Sequence, residues 1–573
     1  MTVSRPRGSW FLIAVPMWLA ACVEPPRTPS DEPPRISDEG LHGMVASAHP
    51  LATVAGVRVL EKGGNAFDAA VAVAAALNVV EPMMSGMGGY GTILVYDAAS
   101  GRTRFLNPSG RIPRAVDSDA FRAPTPGFEE NRVGAKAVST PGNANAWEAM
   151  WREYGTLEWP ELFTSAVSYA EDGFPISPAL ASALGRAYPD FPDHAQAIYG
   201  RNGEPLGAGD TLVQRDLAAS LGAVAAGGAA VVHGGSIGAA IDAAMRQAGG
   251  FLSLEDLRDN EAEWWEPIAI EHRGVRIVTA SPPANAFDAL VRVGMMGHFD
   301  LVSLGHNSVR YLHRFAEVTK HGFWVRLRWA GDPDVSPPPV GELLSERYWR
   351  DQVAAIDTAR ASAFVYPAVA SDGSTTGTVE AEVRHTTHFV VADRWGNVVS
   401  ATQTLGNLFG SRIMPEGTGI WLNNSLAYST FEPKGNPMDA HAGRRKLSGD
   451  VPVIVFRDGR PWAALGTPGG HTIGQTVPQV LLNLVDFGMP MAEAIAAPRV
   501  SFLEPDQLGV ESTVPEAVRD SLSALGHSIR VSNAFGNAHG LTIEYDASGV
   551  PVRFTGAADP RGEGSAKGVR IAP

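Results

Sequence analysis

At 573 residues, 45% of them hydrophobic and 19% charged, the chain is long enough to bury a large core and is neither disordered nor fibrous. A formal charge of −15, with no basic stripe interleaved with aromatics, excludes a nucleic-acid groove. One cysteine, Cys22, excludes a disulfide framework.

Arg5 and Arg7 precede an apolar run, Trp10 to Ala21, and Cys22 follows it. The run is shorter than the ~20 residues of a membrane-spanning helix and matches the apolar stretch of a secretory signal. Leu19-Ala20-Ala21-Cys22 resembles a bacterial lipoprotein signal. That resemblance implies a signal peptide over 1–21, a lipid on Cys22, and a thiol that is no longer a nucleophile. Residues 22–43 hold five prolines between Val23 and Gly40 and read as a semi-rigid tether. The expected location is the bacterial cell envelope, facing the periplasm, with the membrane touched only through the lipid anchor.

From Met44 the pattern is regular. "LATVAGVRVLEKGGNAFDAAVAVAAALNVVEP" predicts two helices broken at Gly63-Gly64, with Asn65 as N-cap and Asp68 reaching back to it. The second helix has almost no polar face, so burial on most sides is expected. Gly86, Gly88 and Gly91 spell G-x-G-x-x-G, but a helix precedes them and a strand follows. A dinucleotide site needs the reverse order, so a close backbone packing turn is the better reading. Residues 131–260 read as helical, with Trp147, Trp151 and Trp159 as packing residues. "HNSVRYLHRFAEVTKHGFW" predicts an amphipathic helix whose His313 and His321 are structural. Pro337–Pro339 and Ser371–Gly377 mark loops, and strand-like runs dominate from Thr386 onward.

"THFVVAD" and "VVSATQTL" flank the turn "RWGN" and predict a hairpin buried on both faces. Pairing Arg394 with Asn397 would set Thr387 opposite Thr404, and a bulge would shift this by one. His385 and His388 would point to opposite faces of a strand, which argues against a metal pair. Two readings of Thr386-Thr387 remain open on composition alone. They are ordinary β-branched strand residues, or one becomes a chain N-terminus whose amine activates its own hydroxyl.

The ordered blocks "HPLATVAG", "GGNAFDAAVA", "VEPMMSGMGGYGTILVYD", "TTHFVVADRWGNVVSATQTL", "GIWLNN", "KLS" and "LGTPGGHTIGQTVPQVLLNLVDFGM" resemble the γ-glutamyltransferase (glutathione hydrolase) family of N-terminal nucleophile hydrolases. The resemblance implies an α/β four-layer αββα sandwich, formed by both halves of a precursor that cuts itself between His385 and Thr386. It implies a large subunit ending at His385 (globular from 44, so 44–385) and a small catalytic subunit over 386–573, together one compact domain. It implies Thr386 as nucleophile, Thr404 as the residue orienting it, Gly469 and Gly470 as oxyanion donors, and Ser448 in the donor pocket. No cofactor and no metal are implied; the partners are a small-molecule amide donor and water or an amino acid as acceptor.

The chain departs from the family where the γ-glutamyl group is read. Ser109 stands at the position of the arginine that holds the substrate α-carboxylate, and the nearest arginine is Arg111. Tyr428 stands at the aspartate that holds the α-amine, with Ser425 where Gln or Glu is usual. Gly449 replaces the second pocket serine, Asp450 follows it, and Gly406 replaces an asparagine. Arg111, Ser425, Ser448, Gly449 and Asp450 are therefore the candidate substrate contacts. The expected activity is a self-processing threonine amidohydrolase or acyltransferase. The alternatives are an acylase-like relative with another amide substrate and an inactive envelope-anchored binding protein.

Overall fold

The computed structural model describes residues 1–2, 35–122, 133–367, 385–429 and 434–570. Cys22, the signal segment and the Ser371–Gly377 loop lie outside them.

Two seven-stranded sheets form the centre, and every pairing in them is antiparallel. The first runs Ser565–Gly568, Gly43–Ser47, Thr387–Asp393, Val398–Thr404, Tyr90–Asp97, Arg102–Asn107, Glu263–Trp265. The second runs Ser37–Gly40, Pro551–Ala558, His539–Tyr545, Arg460–Gly466, Val453–Arg457, Val275–Thr279, Ile268–His272. Strand periodicity explains the layering. Phe389 and Val391 point into the helical layer over the first sheet, while Val390 and Ala392 point between the sheets. The hairpin strands are accordingly buried at every position.

Helices Pro50–Glu61 and Ala66–Val80 cover the first sheet, and the second of them is buried at every residue. Asn65 accepts from the amides of Phe67 and Asp68 while Asp68 accepts from the Asn65 amide, the reciprocal cap expected. Phe287–Met296 and Ile473–Val485 cover the second sheet, and Val309–Trp329 stacks outside Phe287–Met296. The architecture is the expected four-layer αββα sandwich.

Three details bear on the sequence reading. A Cβ at Gly88 would lie 2.1 Å from the Trp421 carbonyl oxygen, and one at Gly91 2.3 Å from that of Thr402, so these glycines allow close backbone packing. The tether expected through Gly43 is shorter. Arg35 already bridges Ala566, Ser37–Gly40 is an edge strand, and Gly43 opens the next strand. Edge pairing is made by backbone groups, so a segment without apolar side chains can still join a sheet. The hairpin register also differs by one from the Arg394–Asn397 pairing. Ala392 pairs with Val398, and the Asp393 amide donates to the Asn397 carbonyl across a turn in which Gly396 has φ +90°. Thr387 therefore faces Gln403.

Candidate active site

The shift in register places Thr386, one residue before its strand, opposite Thr404. The Thr386 Oγ1 hydroxyl donates to Thr404 Oγ1 at 2.9 Å, and the same Thr404 oxygen accepts the Gly406 amide at 2.8 Å. Both threonines are buried. The two adjacent hydroxyls part company, as strand alternation requires. Thr387 Oγ1 turns into the outer layer and donates to Glu81 Oε2 at 2.7 Å, while Thr386 lines a cleft. Burial pushes the Glu81 carboxyl up to about 8, against the opposing hydrogen bond from Thr387. The backbone separates the pair further: Thr386 has φ +98°. A β-branched residue held there stores about 1–3 kcal/mol of strain. That strain sits at the residue whose nitrogen would be released by cleavage after His385.

Thr404, Ser448, Gly449, Asp450 and Gly470 line the same cleft as Thr386, and Gly469 adjoins it. Gly469 has φ +139° and Gly470 φ +55°, backbone that disfavours any side chain. Neither amide has an acceptor among the described residues, so both are free to donate. They follow the strand Arg460–Gly466 and precede the helix Ile473–Val485, a rigid mounting on both sides. Ser448 Oγ lies 2.8 Å from Thr92 Oγ1 and accepts the Asp450 amide at 3.1 Å. Thr92 Oγ1 also donates to Asp450 Oδ2 at 3.3 Å. Burial nevertheless pushes the Asp450 carboxyl up to about 7.

Two candidate contacts lie elsewhere. Arg111 is not in the cleft: its Nη2 donates to Glu263 Oε1 at 3.1 Å, its Nη1 donates to the Gly443 carbonyl at 3.2 Å, and it lines a separate cleft. A backbone bridge to Arg445 fixes Arg111 on that side, where Glu263 holds both arginines. Ser109 Oγ donates to the Gly91 carbonyl at 2.9 Å and serves the fold. Ser425 is buried in a short turn of helix, Ser425–Tyr428, with its amide on Asn423 Oδ1 at 3.1 Å, and does not line the cleft. His388 is not paired with His385 either. It lies inside the sandwich with Nδ1 2.8 Å from Thr402 Oγ1, and burial drives its pKa well below the usual range.

Among the described residues, one group of side chains is close enough to share a metal: His313, Glu317 and His527. Its hydrogen bonding argues against that use. His313 Nε2 lies 2.8 Å from the Asp357 carbonyl, which can only accept, so Nε2 carries the proton. Nδ1 then accepts from His527 Nε2 at 2.8 Å, leaving no lone pair for an ion. His321 likewise meets Tyr348 Oη at 2.9 Å. These are structural histidines.

Sequence reasoning missed the cleft's cations and polar wall. Arg326, from the helix Val309–Trp329, and Lys446, just before Leu447-Ser448, both line it, as do Asn285 and Asp288. Arg326 lies sixty residues from the nucleophile's strand, and only tertiary packing brings it in. Lys446 sits in a quoted block and its identity was legible; its direction was not.

A buried threonine at the head of a strand of an αββα sandwich, beside two free glycine amides, defines an N-terminal nucleophile hydrolase. The gamma-glutamyltranspeptidase family model matches residues 52–569, and the chain belongs to that family. It is 33% identical over 564 residues to a glutathione hydrolase proenzyme of Bacillus subtilis (strain 168), covering 94% of each chain. It is 34% identical to the acylase ACY 1 proenzyme of Pseudomonas sp. (strain SE83), covering 93% of this chain and 96% of that one. The cephalosporin acylase from Bacillus halodurans superposes with a TM-score of 0.83 at 27% identity, over 96% of this chain and 100% of the other.

Proposed function

We propose that this chain cuts itself between His385 and Thr386 and then works as a threonine amidohydrolase or acyltransferase. Its donor is a small-molecule amide, glutathione-like or bearing a related acyl group, and its acceptor is water or an amino acid. The observation that carries the reading is the Thr386–Thr404 hydroxyl pair, 2.9 Å apart, on a strained residue at the edge of a cleft. Strand packing alone has no use for that strain.

In the precursor, Thr386 Oγ1 attacks the His385 carbonyl carbon. Collapse breaks the C–N bond, the Thr386 nitrogen takes up the hydroxyl's proton as the free α-amine, and water then hydrolyses the ester to the His385 carboxylate and the restored Thr386 hydroxyl. The products are a large subunit ending at His385 and a small one over 386–573. In the mature enzyme the α-amine takes the hydroxyl proton as Oγ1 attacks the donor carbonyl. The amides of Gly469 and Gly470 stabilise the oxyanion, and Thr404 holds the hydroxyl in line. The leaving amine takes the proton and departs, and water or an amino acid resolves the acyl ester. Lipidation at Cys22 would hold the enzyme in the envelope, the tether spacing it from the membrane.

A second reading has its own support. Arg111 faces Glu263, away from the cleft, so the usual carboxylate contact is not made there. An acylase acting on another amide fits this better than strict γ-glutamyl selection.

The test is a denaturing gel of purified protein with a p-nitroanilide substrate screen. Wild type should give two chains and Thr386→Ala a single one without turnover. Efficient cleavage of Thr386→Ala would overturn the mechanism.

A further inference from the structure

The chemistry at Thr386 makes no use of its neighbour, yet Thr387 carries a hydroxyl at a fully buried strand position that valine would fill as well. That hydroxyl donates to Glu81 Oε2 at 2.7 Å, and Glu81, itself buried, has no cation within ion-pair distance among the described residues. Burying a carboxyl without a cation is costly, and the cost falls beside the nucleophile. The ladder is incomplete there. The strand Thr387–Asp393 pairs with Gly43–Ser47 only from Phe389 onward, so Thr387 is held from one side, by Gln403, and Thr386 lies beyond the last pair. A residue with φ +98° persists only where its surroundings over-determine it. The Glu81–Thr387 hydrogen bond adds a constraint from outside the ladder. Its mounting suits that task. Glu81 ends the helix Ala66–Val80, its carbonyl accepts the Met84 amide at 2.9 Å, and the Met84 carbonyl accepts the Leu405 amide at 2.8 Å. One turn therefore grips both strand ends, Thr387 through a side chain and Leu405 through backbone.

We propose that Glu81 is a positioning residue for self-cleavage. By accepting the Thr387 hydroxyl it pins the head of the strand and holds Thr386 in the strained backbone from which Oγ1 attacks the His385 carbonyl. Glu81 acts through Thr387 and as an acceptor; its charge is not required. This rests on the self-cleavage reading above and deepens it by naming what holds the nucleophile in place.

The experiment follows freshly translated chain over time on a denaturing gel for wild type, Glu81→Met, Thr387→Val and the double variant. Rates are read well below each variant's Tm, measured in the uncut Thr386→Ala background, so that a loss of stability alone does not slow cleavage. Each single variant should cut roughly 10- to 100-fold more slowly, the size of effect expected for a nucleophile displaced by up to about 1 Å. The double variant should be no slower than the slower single one, because both remove the same hydrogen bond. Glu81→Gln and Thr387→Ser keep acceptor and donor and should stay within a few-fold of wild type. Wild-type rates in both single variants, multiplying effects in the double one, or a Glu81→Gln as slow as Glu81→Met would each overturn the proposal. If Glu81→Met does not fold, Thr387→Val against Thr387→Ser carries the same comparison. A wild type that stays a single chain sinks the self-cleavage reading and this role with it, whereas a wild type that cuts no faster than Thr387→Val sinks this role alone.

Discussion

Replacing Thr404 with valine keeps shape and removes one oxygen, and that oxygen has two partners. It accepts the Thr386 hydroxyl at 2.9 Å and the Gly406 amide at 2.8 Å. The amide is buried, so leaving it unpaired should cost about 1–3 kcal/mol of stability. The effect on chemistry has a different source. With its hydrogen aimed at Thr404, the Thr386 oxygen has its lone pairs free to attack, and without that acceptor it rotates among staggered positions. Misplacing a nucleophile by about 1 Å costs on the order of 10²-fold in rate. Thr404→Val should therefore slow self-cleavage about 100-fold, while Thr404→Ser, which keeps the hydroxyl, stays within a few-fold of wild type. Freshly translated chain sampled over time on a denaturing gel gives the rates. Urea unfolding in a Thr386→Ala background gives the stability term on an uncut chain. Wild-type cleavage kinetics in Thr404→Val, or a serine variant as slow as the valine one, would refute the orienting role.

Glu81 has a pKa of about 8 in the folded chain against 4.5 when unfolded, so unfolding releases its proton; its contribution is fully present below about pH 4.5 and is lost as pH rises towards 8. Glu81→Gln in the uncut background should remove that loss, a few kcal/mol across the window, and parallel stability profiles for the two proteins would contradict it. For the donor, γ-glutamyl-p-nitroanilide and its des-amino analogue glutaryl-p-nitroanilide should show a small or reversed preference in kcat/KM, because Tyr428 stands where the family has its amine-holding aspartate and Asp288 is held by Arg292 at 2.8 Å. A large preference for the γ-glutamyl compound would show that the amine is specifically bound. Cys22→Ser should abolish partitioning into a detergent phase, and a wild type found unmodified and free in the periplasm would end the lipoprotein reading.

What was legible in the sequence was whatever local periodicity or turn chemistry decides. The capped helix at Asn65 and the pairing of the hairpin strands rest on contacts between near neighbours in the chain. The register at Thr386 was not legible to one residue, because it depends on how Asp393 to Asn397 close their turn. Arg111 misled for a related reason. Two residues of displacement along a loop move a side chain to another face, and the bridge to Arg445 decides which. Lys446 and Arg326 approach each other only through the packing of a helix on a distant loop.

The two kinds of legibility correspond to two kinds of mounting. Thr386 and Thr404 stand at the paired ends of neighbouring strands, and Gly469 and Gly470 follow the end of a third. Ladder hydrogen bonds fix the strand ends that carry or adjoin these residues. The other residues that line the cleft come from other supports: Lys446 to Asp450 from a loop, Arg326 from a helix in the outer layer. Gly449 falls on that second set and leaves the strand ends untouched. On the proposed mechanism, self-cleavage depends on the first set, since the attacked carbonyl is the chain's own and needs no recognition, and acyl selection depends on the second. The two should vary independently in this protein, so a two-chain pattern on a gel reports an intact nucleophile and carries no information about the donor, which only the ratio of kcat/KM values between donors with different acyl groups can reveal.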